Sequence, residues 1–126
     1  MQVQIPPDLA TRTAEGKTVL FVGAGMSQPR LPGWSVLLER MLKWAADEGL
    51  RLGGAEDSIR ELIGQNDLLL AAHELRSRME ENNFTRFMRG VFRHPDLKPG
   101  PTHLLLPETG FAAILTANYD KLIEAA

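Results

Sequence analysis

Apolar residues form two short runs that are separated by a long stretch with helical spacing. The first run, residues 18–22, has no alternation of apolar and polar positions and leads into a turn with two glycines and a serine. A run without alternation is typical of a strand buried on both faces of a parallel sheet. The second run, residues 112–116, also predicts a buried strand, with a polar turn and a helix over 121–126 after it.

Helical spacing predicts the elements before and between these strands. Residues 8–15 form a short helix that stops at a glycine, and a longer helix follows Ser35, its expected N-cap. Residues 53–93 are helical throughout, which predicts a helical module inserted between the two strands. The fold class predicted is therefore α/β, with a partial parallel sheet.

Capping signals divide the inserted module into three helices. Ser58 and the glutamate three residues later fit a capping box, and Asn66 or Asp67 can cap the second helix. Asn83 can cap the third. A loop rich in proline follows the module and precedes a short helix over 102–106.

Composition restricts the classes of protein to which the chain can belong. With 126 residues, of which 44% are hydrophobic, residues 1–126 are expected to form one domain or part of one, with a substantial core. A net charge of -2 gives no signal for nucleic-acid or membrane binding. The absence of cysteine, of a leader and of a membrane-spanning run predicts a cytoplasmic location.

The turn after the first strand is a candidate nucleotide site. Gly23 and Gly25 lack a Cβ, so a phosphate can approach their backbone. If the strands are parallel neighbours, their carboxyl ends lie at the same edge of the sheet, and Thr116, Asn118 and Asp120 then lie beside this turn. Ligands of open α/β sheets bind at this edge.

Plainer interpretations of these residues stay open. The glycine turn could be a strand-to-helix connection that binds no ligand. Asn118 could be present because asparagine tolerates left-handed backbone angles, and Asp120 because it caps the following helix. A P-loop is disfavoured, since no Gly-Lys-Ser or Gly-Lys-Thr follows Gly25. No metal site is predicted.

Four short motifs, taken together, resemble the SIR2 (sirtuin) superfamily. They are Gly23-Ala24-Gly25-Met26-Ser27, Leu31-Pro32-Gly33-Trp34, Pro101-Thr102-His103 and Leu115-Thr116-Ala117-Asn118-Tyr119-Asp120. The resemblance implies the N-terminal portion of a Rossmann-like NAD-binding domain that carries an inserted helical module. It also implies cleavage of the bond between nicotinamide and ribose.

The resemblance implies roles for single positions. The positions that match the turn contacting the NAD diphosphate and the adjoining ribose are Gly23, Ala24, Gly25 and Ser27. Pro32 and Trp34 match the loop that covers the nicotinamide side, although Trp34 could equally be a core aromatic. Asn118 matches the residue that positions the ribose and the attacking water, and Asp120 matches the carboxylate that binds the nicotinamide amide.

The residues after Pro32 indicate a branch of the superfamily. Protein-deacylating sirtuins have an acidic residue, an aromatic residue and an arginine where this chain has Gly33, Trp34 and Ser35. The chain resembles more closely the SIR2-like NAD hydrolases of bacterial antiphage defence. An NAD-dependent protein deacylase and a non-catalytic nucleotide-binding or interaction module are the alternatives.

The general base is not among the residues that the motifs assign. The family's catalytic histidine lies downstream of the Asn-Tyr-Asp motif, past Ala126, so enzymatic activity is left open. His103 matches a structural histidine, and His73 and His94 fall in or at the ends of predicted helices. Because two strands alone leave sheet edges exposed, we expect self-association or dependence on a further C-terminal region.

Overall fold

The computed structural model describes residues 3–126, and its elements make a mixed α/β chain with two parallel strands. Met1 and Gln2, which the predicted domain 1–126 includes, lie outside the described residues. The α-helices are α1 (Pro7–Ala14), α2 (Trp34–Asp47), α3 (Glu56–Gly64), α4 (Leu68–Arg78), α5 (Glu81–Phe92) and α6 (Pro101–Leu105). The strands are β1 (Val19–Val22) and β2 (Ala113–Thr116), and 3₁₀ turns cover Ala24–Ser27 and Leu106–Thr109.

The chain divides into two compact units. The first unit combines the residues up to Arg30 with Pro95–Ala126, and the second is Leu31–His94. The helical module was predicted over about residues 53–93. The compact second unit also includes α2, because α2 packs against α3 and α4.

In the first unit, β1 and β2 pair in parallel. Val19 lies opposite Ala113, and Val22 lies opposite Thr116. Parallel neighbours need a long crossover, and here the whole second unit lies between the strands in sequence. The predicted α/β class with a small parallel sheet is confirmed.

One face of this sheet is exposed. Val19, Phe21 and Leu115 point to the same face because their register positions coincide, and Phe21 is 73% exposed. The expectation that both strands are buried on both faces is therefore wrong. The physical reason is that α1 buries none of its residues, so it does not cover an apolar sheet face.

A glycine allows α1 to lie close to the segment that enters β2. Gly110 has φ +77°, and a Cβ placed on it would lie 3.0 Å from the carbonyl oxygen of Thr13. The Thr13 and Thr18 hydroxyls are hydrogen-bonded to each other at 3.1 Å, and the amide of Ala112 donates to the carbonyl of Thr18. These contacts connect α1 with the beginnings of both strands.

The second unit has its own apolar core, formed by residues of α2 to α5 and of the α2–α3 and α4–α5 loops. Its buried members are Leu37, Leu38, Met41, Leu42, Ala45, Leu52, Ile59, Ile63, Ala71, Leu75, Met79 and Phe87. At its edge the Trp44 and Phe87 rings lie 5.7 Å apart. Arg86 covers the Trp44 ring and pairs with Glu48 at 2.5 Å. The apolar stripes predicted by helical spacing thus face one another.

Of the predicted helix caps, one is confirmed. Asp67 accepts a hydrogen bond from the amide of Leu70 at 3.4 Å and caps α4. Ser35, Ser58 and Asn83 are not caps, because α2, α3 and α5 begin before them. Among residues 3–126, no helix combines the length and apolar character needed to cross a membrane.

The core predicts a large difference between two leucines of α4. Leu75 is fully buried, and Leu69 is 82% exposed. We expect Leu75→Ala to lower the free energy of unfolding by about 2 to 5 kcal/mol, because it leaves a cavity. Leu69→Ala on the same helix should change it by less than about 0.5 kcal/mol. Urea denaturation of both variants measures the difference. Equal losses of unfolding free energy would contradict the placement of Leu75 inside the core and Leu69 outside it.

Candidate functional site

The candidate site lies at the carboxyl edge of the two-stranded sheet, within the first unit. Because Val22 pairs with Thr116, the turn after β1 and the segment after β2 leave the sheet side by side. The structure therefore brings the Gly23–Ser27 turn next to the segment that carries Asn118 and Asp120. The sequence anticipated this juxtaposition on the condition that the strands were parallel neighbours.

The turn itself is a short 3₁₀ element. The amide of Met26 donates to the carbonyl of Gly23 at 3.2 Å, and the amide of Gln28 donates to the carbonyl of Gly25 at 3.3 Å. The expected strand-to-helix transition is therefore wrong in one respect, since only the four residues Ala24–Ser27 are helical here. With so few aligned peptides, a long helix dipole does not contribute at this place.

Neither glycine of the turn is required by the protein's own packing. Gly23 and Gly25 have no positive φ, and a Cβ built on either one would meet no atom within 4 Å. Gly23, Ala24 and Gly25 are all exposed. A side chain at Gly23 or Gly25 would thus point into open space, which is the space that a ligand would occupy against this backbone.

Asn118 connects the two segments at the sheet edge. Its Nδ2 donates to the carbonyl oxygen of Gly23 at 3.3 Å, and its backbone amide donates to Thr116 Oγ1 at 3.0 Å. Thr116 therefore orients the Asn118 backbone. Because Nδ2 is directed at Gly23, the amide oxygen Oδ1 is the group of Asn118 left to accept from a hydroxyl or a water.

Ser27 and Asp120 form a buried hydrogen bond across the same two segments. Ser27 Oγ donates to Asp120 Oδ2 at 2.9 Å, and the residues are only 1% and 5% exposed. Asp120 Oδ1 accepts from the amide of Leu122 at 2.9 Å, which makes an Asx-type turn. The predicted helix over 121–126 is replaced by turns, so Asp120 does not cap a helix.

His103 has a local role at the start of α6. The amide of Gly100 donates to His103 Nδ1 at 3.1 Å, so the ring proton lies on Nε2. His103 is buried, and its Nε2 makes no hydrogen bond within residues 3–126. A Cβ on Gly100 would lie 2.6 Å from Arg30 Nε, so Arg30 covers this turn closely. These contacts make His103 a capping group.

The remaining predicted site residues belong to the second unit. Trp34 is the first residue of α2 and is exposed, so it is not a core aromatic. Pro32 precedes it and is half-buried. The residues that the structure brings together at the sheet edge are the turn, Thr116, Asn118 and Asp120.

Sequence reasoning missed the pairings that these residues make with one another. It placed Ser27 and Asp120 as separate ligand contacts, although they bond to each other. The signal for the Asx turn was present, because aspartate often accepts from the amide two residues on. No local signal marks a bond between residues 93 positions apart.

The described residues include no group of three or more histidine, aspartate or glutamate side chains arranged to hold a metal ion. Comparisons with protein-family models, with curated proteins and with solved structures find no match to this chain.

The open space at the turn predicts that Gly25 can be replaced without loss of stability. We expect Gly25→Ala to leave the free energy of unfolding unchanged or to raise it by up to about 1 kcal/mol, since alanine restricts the unfolded chain. Gly110→Ala should lower it by about 1 to 2 kcal/mol, because a Cβ is strained at positive φ. Thermal unfolding compares the two. A strong loss in Gly25→Ala would show that the protein's own fold requires this glycine.

Proposed function

We propose that the first unit binds NAD at the Gly23–Ser27 turn and that the chain is part of a SIR2-like NAD hydrolase with a Rossmann-like sheet. The observation that carries this proposal is the exposed glycine turn beside Asn118, at the carboxyl edge of two parallel strands. In open α/β sheets this edge is where ligands bind. The role in bacterial antiphage defence implied by the resemblance belongs to the same proposal.

The glycine turn fits a diphosphate. Gly23 and Gly25 leave open space where any other residue would place a side chain, and neither is explained by backbone angle or crowding. A phosphate needs such close access to backbone N–H groups. Ala24 between them adds only a methyl group, so the backbone surface stays accessible.

Asn118 fits the reaction centre. Its Nδ2 is fixed on the Gly23 carbonyl, which leaves Oδ1 to accept from a ribose hydroxyl or an attacking water. In NAD the nicotinamide ring carries a positive charge, so it leaves as neutral nicotinamide and positive charge develops on the ribose. An acceptor that is already oriented stabilises positive charge as it develops on the sugar, without reorganisation at the moment of reaction.

Nicotinamide release from NAD tests this role of Asn118. We expect Asn118→Ala to lower the rate of release by about 10²-fold or more, as the loss of an oriented polar group does in other enzymes. Asn82→Ala, an exposed position on α5, is the matched control and should keep the rate. Measurable release at equal rates from the wild-type protein and from Asn118→Ala would refute the role.

The Gly25→Ala variant should weaken NAD binding in calorimetry, because its Cβ enters the proposed phosphate space.

Nucleotide binding without cleavage is a second candidate function. The observation that favours it is His103, the histidine of the α6 turn, which is buried and whose Nδ1 accepts from the amide of Gly100, so it serves the turn and not as a general base. Binding of NAD and ADP-ribose by calorimetry, with no nicotinamide released, would select this function over hydrolysis.

Self-association is a further part of the proposal. The face formed by Val19, Phe21 and Leu115 is apolar and exposed, and each strand of the two-stranded sheet has an outer edge without a partner among the described residues. Such edges and faces favour pairing with another chain.

Light scattering after gel filtration tests self-association. We expect the wild-type chain to form dimers or larger species, and Phe21→Thr to shift it towards the monomer, because the substitution removes the largest exposed apolar group of the face. Leu69→Gln, at an exposed leucine of the second unit, is the control and should not change the mass. A wild-type chain that stays monomeric at high concentration would contradict self-association.

A further inference from the structure

The geometry points to a positioning role for two residues to which the resemblance gives direct ligand contacts. We infer that Ser27 and Asp120 form a clamp that holds the glycine turn in place beside Asn118, and that neither side chain contacts the nucleotide. This inference rests on the proposed function as far as the nucleotide is concerned. The clamp itself can be tested without any ligand.

The hydrogen-bond inventory of Ser27 argues against a contact with phosphate. A serine hydroxyl has one hydrogen to donate, and Ser27 donates it to Asp120 Oδ2 at 2.9 Å. Phosphate oxygens accept hydrogen bonds, so they need a donor that Ser27 no longer has. Ser27 is also buried, whereas Gly23 and Gly25 in the same turn are exposed.

Asp120 is engaged on both of its oxygens. Oδ2 accepts from Ser27 and Oδ1 accepts from the amide of Leu122, each at 2.9 Å. A carboxylate that is only 5% exposed needs such partners, because a buried charge without them is costly. Each carboxylate oxygen could accept one more hydrogen bond, so it is the burial of Asp120 that keeps a ligand away and leaves its hydrogen bonds to the protein's own frame.

The clamp and Asn118 hold the turn at opposite ends. Asn118 Nδ2 bonds the Gly23 carbonyl at the first residue of the turn, and Asp120 bonds Ser27 at the last. Gly25 lies between these two attachments. The Ser27–Asp120 bond is the shorter one and is buried, and bonds to a charged group contribute more than neutral bonds. Its loss should release the turn and separate it from Asn118.

A conservative substitution can preserve the clamp. In Asp120→Asn, the amide oxygen can accept from Leu122, and the amide nitrogen can donate to Ser27 Oγ, because a hydroxyl also accepts. In Asp120→Ala both bonds are lost. In Ser27→Ala a buried carboxylate oxygen loses its donor. The three variants therefore separate the loss of the clamp from a change of charge.

Hydrogen exchange tests the clamp without a ligand. The reporters are the amides of Met26 and Gln28, which close the turn. We expect Ser27→Ala and Asp120→Ala to speed their exchange by about tenfold or more, and Asp120→Asn to stay near the wild-type rate. Ser58→Ala and Asp57→Ala, exposed positions on α3, are the matched controls. Unchanged exchange in Ser27→Ala would overturn the clamp. If Asp120→Ala does not fold, Ser27→Ala against Asp120→Asn gives the same comparison.

Calorimetry with NAD and with ADP-ribose tests the positioning role. ADP-ribose has the diphosphate but no nicotinamide. We expect Ser27→Ala to weaken binding of both nucleotides by the same factor, about tenfold. Asp120→Asn, which keeps the clamp, should bind both nucleotides as the wild-type chain does. A direct contact between Asp120 and nicotinamide would instead make Asp120→Asn weaken NAD alone, and this result would overturn the inference. If the wild-type chain binds neither nucleotide, the proposed function fails, and the exchange rates still decide the clamp.

Discussion

Two parallel strands cannot be joined by a tight turn, so the pairing of β1 with β2 requires a long connection between them. In this chain the connection contains the whole helical unit Leu31–His94. The same pairing directs both strands to end at one edge, where Val22 lies opposite Thr116. A shift of the register would change the position of the glycine turn relative to Asn118. The register is therefore the constraint on which the candidate site depends.

At this edge, exposed backbone and buried side chains have different tasks. Gly23 and Gly25 present backbone to open space, and the polar side chains behind them bond to one another. Ser27 and Asp120 are almost completely buried, and each needs the other as a partner, since an unpaired polar group in the interior is costly. This arrangement lets the turn remain accessible while its position stays defined.

The two units are stabilised by different means. In the second unit, helices α2 to α5 and the α2–α3 and α4–α5 loops supply one continuous set of buried apolar residues. In the first unit the buried apolar residues are few, and they include Val22, Leu106 and Leu122. Specific polar contacts, such as those of Thr13, His103 and Asp120, therefore contribute more to the stability of the first unit, relative to apolar burial, than polar contacts do in the second. The exposed apolar face around Phe21 belongs to this less buried unit.

The sequence by itself determined the elements whose signals are local. Apolar runs located both strands, helical spacing located the helices, and the start of α4 was predicted with Asn66 or Asp67 as its cap, of which the structure selects Asp67. The long helical segment between the runs also predicted parallel pairing, and NAD binding stays a prediction from motifs. Only the tertiary structure decided that Phe21 is exposed, that residues 121–126 form turns, and that Ser27 bonds to Asp120. The physical reason is range: periodicity and caps act over three or four residues, whereas burial and a bond across 93 positions depend on which segments the fold brings together.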